Sequence, residues 1–169
     1  MAIDFSTAPA GAAAPCAPLP GDPADPAAGP APAPIGVPAE LEALDRIARF
    51  TLDLGERAGL PAGRLYRLRL AADELATNIV MHGYRGAPGC ILVDGGIEPG
   101  RVWIRFVDDA PAFDPRQGLR APELDVPLAD RKVGGLGVFL ALTAVDSFDY
   151  ALVAGRNVCT LAIARHDNG

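Results

Sequence analysis

Residues 71–84 read AADELATNIVMHGY, and the periodicity that runs through them decides the fold. Leu65, Leu68, Ala72, Leu75 and Ile79 recur at helical spacing, from Pro61, where a helix begins, to Gly83, near which it stops. Leu70 and Val80 fall on the opposite side, so this helix is apolar almost all round and half-buried. Upstream, Leu41, Leu44, Ile47, Thr51 and Leu54 predict another helix, begun at Pro38 and stopped by Gly59. Downstream the period changes. Residues 91–93 (ILV) and 102–107 (VWIRFV) are rich in β-formers and flank the turn signal Glu98-Pro99-Gly100. Residues 108–133, with Pro111, Pro115, Pro122 and Pro127, read as a long loop, a kind that is functional or mobile. A glycine turn at 134–137 then leads into a short apolar helix over 138–145. Residues 148–153 and 158–164 close as a hairpin around Gly155-Arg156-Asn157. The order predicts an α+β fold: a two-layer α/β sandwich, a mostly antiparallel mixed sheet with helices on one face.

Composition bounds the rest. Half of the 169 residues are hydrophobic and 21% are charged, which excludes global disorder. Lys+Arg 15 against Asp+Glu 21 leaves a net charge of −6 with no basic run, so phosphate contacts to nucleic acid or an anionic membrane are not expected. No apolar stretch approaches the ~20 residues of a membrane span. Residues 1–34 carry 9 Pro and 12 Ala, with Asp4, Asp22 and Asp25 as the only charges. Prolines deny both helix and ladder, so this segment is expected to be a disordered tail, and residues 35–169 the folded domain. Without a charged start or a continuous apolar run, the tail is not a signal peptide. Cys16, Cys90 and Cys159 are odd in number and far apart, which suggests neither a disulfide framework nor a CxxC metal site. A reduced, cytoplasmic setting is the simplest reading. His82 and His166 are too few and too distant for a zinc site, and Trp103 is expected in the core.

Three elements carry possible chemistry. Glu74 and Asn78 stand four apart on the 61–83 helix, so they share a flank beside the core stripe, with Cβ atoms ~5–6 Å apart. An amide oxygen there suits Mg²⁺, and a carboxylate can orient or deprotonate a nucleophile. Taken alone, the same spacing is more often a plain polar pair at a domain surface. Asp108 follows a strand and precedes Ala110, Pro111 and Phe113. Its carboxylate can accept an exocyclic purine amine beside an apolar wall; Asp and Pro also favour ordinary turns. Lys132, the sole lysine, adjoins Gly134-Gly135-Leu136-Gly137 at a helix start, where backbone N–H groups suit phosphate. A flexible hinge explains that turn equally well, and it is neither a P-loop nor a full GxGxxG.

In combination these elements resemble the GHKL (Bergerat-fold) ATPases, whose N, G1 and G2 boxes occur in this order. The closer resemblance is to the bacterial anti-sigma-factor serine/threonine protein kinases, carried by AADELATNIVMHGY (71–84), FVDDAPAFDP (106–115), GGLGVFLALTAVDSFDY (134–150) and GRNVCTLAI (155–163). It spans nearly all of 38–165. The resemblance implies Glu74 as catalytic base, Asn78 as the Mg²⁺ ligand, Asp108 as the adenine-binding aspartate, and Gly134, Gly135 and Gly137 as the phosphate turn. The 115–133 loop becomes an ATP lid. Cofactors are then ATP and Mg²⁺. The implied partners are an anti-anti-sigma (STAS-type) protein, phosphorylated on serine or threonine, and a sigma factor. Family members often form homodimers. One departure stands out: the G1 box expects Gly where this chain has Ala110, whose methyl would crowd the base or exclude a positive φ. It keeps a non-catalytic binding module as the alternative.

Overall fold

Alternation along the strands fixes which side of the sheet meets the helices. In the computed structural model, which describes residues 16, 31–117 and 136–166, five strands are present: β1 (Ile35–Pro38), β2 (Cys90–Ile97), β3 (Arg101–Asp108), β4 (Ser147–Val153) and β5 (Arg156–Ala164). They lie in the order β1-β2-β3-β5-β4, and every pairing is antiparallel. Ile91 and Val93, Ile104 and Phe106, and Leu161 and Ile163 all point one way and are fully buried. Against that face pack α1 (Leu44–Arg57), α2 (Ala62–Asn78) and α3 (Leu136–Ala144). The result is the two-layer α+β architecture that the sequence predicts.

Each helix buries the face its sequence offers. In α1, Ile47, Phe50, Thr51 and Leu54 turn inward, with the Thr51 hydroxyl donating to the Ile47 carbonyl at 2.9 Å. In α2 the buried residues are Leu68, Ala71, Ala72, Leu75 and Ala76. Three of these are alanines. Beyond Asn78 the helix widens into π-type turns over Ile79–Tyr84 and ends where Arg85 turns left-handed at φ 52°. Such widening is rare and clusters at functional sites.

Several expectations are corrected. Pro38 ends an edge strand instead of starting a helix; a 3₁₀ turn, Leu41–Ala43, intervenes before α1. An edge position tolerates proline because no ladder donor is needed there. Trp103 sits outside the core, on the sheet's outer face, with its ring flat over Gly96 and Arg105 at 5.5 Å from the ring centre. Arg105 is also paired with Asp94. The cysteine reading is overturned as well. Cys16 is disulfide-bonded to Cys90, with Cα atoms 5.8 Å apart across 74 residues of sequence. Spacing along the chain carries no information about a pairing that antiparallel strands and a returning segment create in space. Most of the 1–34 segment, residues 118–133 of the loop, and Lys132, Gly134 and Gly135 lie outside the described residues.

Candidate functional site

Asp108 is the last residue of β3 and points inward, 2% exposed. Its register partner on β5 is Asn157, itself 3% exposed. Buried polar groups need partners, and here they satisfy one another. Asn157 Nδ2 donates to Asp108 Oδ1 at 2.9 Å and to the Ala110 carbonyl at 3.0 Å. Asn157 Oδ1 accepts from the Phe113 N–H at 3.1 Å and the Tyr150 hydroxyl at 2.8 Å. The Ala110 N–H donates to Asp108 Oδ1 at 3.0 Å. Among the described residues nothing donates to Asp108 Oδ2. Burial pushes the Asp108 carboxyl above the usual carboxylate range, against the opposing hydrogen bonds from Asn157 and the Ala110 N–H.

The residue pattern explains how β3 can end this way. Beyond Asp108 the chain turns through Ala110, Pro111 and Phe113, and Asp109 pairs outward with Arg156 at 2.8 Å. The Tyr84 hydroxyl accepts the Asp109 N–H at 3.0 Å and donates to the Cys90 carbonyl at 2.8 Å. The end of the π-type turn is thereby tied to both β2 and the turn after β3.

Asn78 comes to the same place from α2. With Gly83, Asp108, Ala110, Phe113 and Asn157 it lines a cleft between the end of α2 and the start of β5. Ala110 is 4% exposed, at negative φ, and its methyl faces Gly83. A Cβ on Gly83 would lie 3.2 Å from the Ala110 Cβ. The missing side chain at 83 thus makes the room that the extra methyl at 110 takes. The cavity left is about 10 Å³, the space of one water, so a purine enters only when the mouth opens. Phe113, 39% exposed, stands at that mouth. Cys159 also lines the cleft; burial pushes its thiol up to about 12, which makes it inert packing.

One turn back along α2, Glu74 meets the start of α3. A Cβ on Gly137 would lie 2.5 Å from Glu74 Oε2, so only glycine leaves that carboxylate its place. Glu74 and Asn78 are both half-buried, and neither is hydrogen-bonded to any described residue. Polar groups so placed on one flank, beside a buried aspartate whose second oxygen no described residue bonds, leave hydrogen-bonding capacity that a polar ligand can use.

Of the residues singled out in the sequence, Asn78, Asp108, Ala110 and Phe113 share the cleft, and Glu74 and Gly137 touch beside it. Leu136 opens α3. Among the described residues no group of three or more His, Cys, Asp or Glu side chains that could hold a metal ion exists. Asn157, Gly83 and Tyr84 were missed. Asn157 did carry a signal: it sits in phase with Cys159, Leu161 and Ile163, an inward polar residue among apolar ones.

This architecture belongs to a known class. The family described as histidine kinase-like ATPase domain matches residues 37–163, and the chain belongs to that family. Within it, the chain is similar to serine-protein kinase RsbW of Bacillus cereus (strain AH187), 26% identical over 125 residues, which cover 72% of this chain and 78% of that protein. It is also similar to serine-protein kinase RsbW of Listeria innocua serovar 6a, 30% identical over 117 residues, which cover 66% of this chain and 74% of that one. Among solved structures, the RsbU and RsbW domains of Rv1364c from Mycobacterium tuberculosis share the fold, with a TM-score of 0.53 at 17% identity. That alignment covers 80% of this chain and 34% of the longer solved one.

Proposed function

We propose that this protein is an ATP-dependent serine/threonine protein kinase that acts as an anti-sigma factor in a partner-switching system. Its unit of function is the domain over residues 35–169. The observation that carries the proposal is the convergence of Asn78 and Asp108 on one cleft, with Glu74 one turn away against Gly137. The RsbW kinases to which the chain is similar support the same reading.

In this reading the free Oδ2 of Asp108 accepts the adenine amine, and Ala110 and Phe113 wall the ring. Asn78 holds the Mg²⁺ that accompanies the triphosphate and neutralises its charge. The glycine turn at 134–137, with Leu136 leading into α3 and Lys132 beside it, takes the phosphates. Glu74 receives the proton of an incoming hydroxyl as the oxygen attacks the γ-phosphorus, and ADP leaves. The hydroxyl belongs to a serine or threonine of an anti-anti-sigma (STAS-type) protein, and the same kinase sequesters a sigma factor. That work needs ATP and the transcription machinery, hence the cytoplasm; no described helix is long and apolar enough to cross a membrane. Two copies pair as a homodimer, as in the resembling family.

One observation favours a second reading, a binding module that holds a regulator without catalysis: with Ala110 in place the cavity is only about 10 Å³. Calorimetry with Mg-ATP separates the two. The kinase reading predicts binding that Asp108→Ala abolishes, and phosphate transfer to a STAS-domain acceptor. Absence of binding heat at millimolar nucleotide would leave the non-catalytic module standing.

A further inference from the structure

We propose that Cys16 and Cys90 form a reversible thiol–disulfide switch that ties Cys16 to the β1–β2 edge of the sheet. The inference rests on the fold and is independent of the kinase reading. Cys90 opens β2 opposite Pro38 of β1, on the outer face, away from the helices. Its carbonyl is fixed by the Tyr84 hydroxyl, so the body presents this sulfur at a defined place. Cys16 arrives from a segment far upstream and settles over Gly36, with Cα 5.8 Å from that of Cys90. That separation is the one bonded cysteines adopt. A side chain at residue 36 would close the seat: its Cβ would lie 3.0 Å from Cys16 Sγ and 3.1 Å from Cys16 Cβ.

Three features make the pair a switch instead of a buried staple. Both cysteines are partly exposed, within reach of small thiols and disulfides. The third cysteine, Cys159, is 2% exposed under the opposite face of the sheet and takes no part in exchange. The clamp also stands outside the ladder. The β1–β2 and β2–β3 ladders are made by backbone groups, and neither sulfur takes part in them.

The chemistry balances with a low-molecular-weight disulfide as oxidant. One cysteine thiolate attacks the small disulfide, expelling one thiolate and leaving a mixed disulfide. The second cysteine thiolate then attacks the protein sulfur and expels the other. Two protein thiols give up two protons and two electrons, and one small disulfide becomes two thiols. Opening runs the same exchange backward. It releases Cys16 from its seat over Gly36.

The test uses the full chain equilibrated in oxidised and in reduced glutathione, followed by non-reducing peptide mass spectrometry and thermal melts. A single linked peptide, Cys16 to Cys90, is expected in the oxidised buffer and gone in the reduced one, with Cys159 alkylated only after unfolding. Reduction should lower the melting temperature by about 5 °C, because closing a long loop restricts the unfolded chain. Cys16→Ser, which alters only the upstream segment, should melt at the reduced parent's temperature in both buffers; Cys90→Ser should match it. A linkage through Cys159, no linked peptide in oxidised glutathione, or a melt indifferent to reduction would overturn the proposal.

Discussion

The two ends of the cleft are built by opposite means. At the strand end, Asp108, Asn157, Ala110, Phe113 and Tyr150 are locked in one hydrogen-bonded network. At the helix end, Glu74 and Asn78 stand beside the core with no described partner, and Glu74 rests against the bare backbone of Gly137. The first region is finished without a ligand. The second leaves two polar side chains without a described partner. A recognition surface gains from being preorganised, because an ordered network costs nothing to assemble on binding. On the proposed kinase reading, Glu74 as base gains from being uncommitted, because hydrogen bonds accepted by a carboxylate stabilise its charged form and weaken it as a base.

The contrast can be broken by substitution, and the largest effect should come from the uncommitted end. Glu74→Ala should cut phosphate transfer by about 10²–10⁴-fold while ATP affinity stays near that of the parent. Single-turnover transfer and calorimetry, run on the same preparation, check both halves. A parallel loss of binding would mean that Glu74 belongs to the recognition end.

Asn157→Ala should act the other way round. It strips Asp108 of a buried donor and strands the Phe113 N–H and the Tyr150 hydroxyl. Leaving such groups unsatisfied costs about 1–3 kcal/mol each at most, so urea denaturation should show a loss of about 2–3 kcal/mol, with weaker ATP binding besides. Stability equal to the parent's would show that the network is ornamental.

Titration sharpens the comparison further. The folded pKa of Asp108 stands above its unfolded value because of burial, so its ionisation costs stability at neutral pH. That cost is relieved as pH falls through the folded pKa. Nucleotide binding runs in the opposite sense. On the proposed reading the ionised carboxylate accepts from the adenine, so ATP affinity should decline on acidification at pH values above the 3.8 of an ordinary aspartate. Calorimetry from neutral to mildly acidic pH reads this directly, and Asp108→Asn should flatten the curve.

The smallest effect concerns the fit of Ala110 against Gly83. Gly83→Ala would bring two methyl carbons to 3.2 Å and should destabilise by about 1 kcal/mol. Adding Ala110→Gly should restore the loss. Additive losses in the double variant would mean that the two positions do not share the space.

How legible all this was in the sequence follows the same division. Helices α1 and α2 declared themselves through long apolar periodicity, and β2, β3 and the β4–β5 hairpin through β-formers and turns. β1 did not, because Ile-Gly-Val-Pro is four residues with two breakers, and only its neighbour β2 makes it a strand. Glu74 and Asn78 were visible because helical spacing places both on one flank. Asn157 was hidden by its setting after Gly155-Arg156, where asparagine reads as a turn residue; its role comes from register with Asp108, a contact across 49 residues. The Cys16–Cys90 pairing was invisible for the same reason. Local pattern reveals what a helix displays, and pairing across the sheet reveals the rest.

The most direct test is a crystal structure with Mg²⁺ and a non-hydrolysable ATP analogue. The account predicts the adenine amine against Asp108, the metal's shell against Asn78, the phosphates at the turn before α3, and Phe113 swung from its present place. An analogue bound elsewhere, or bound in the cleft with its phosphates directed away from α2, would contradict it.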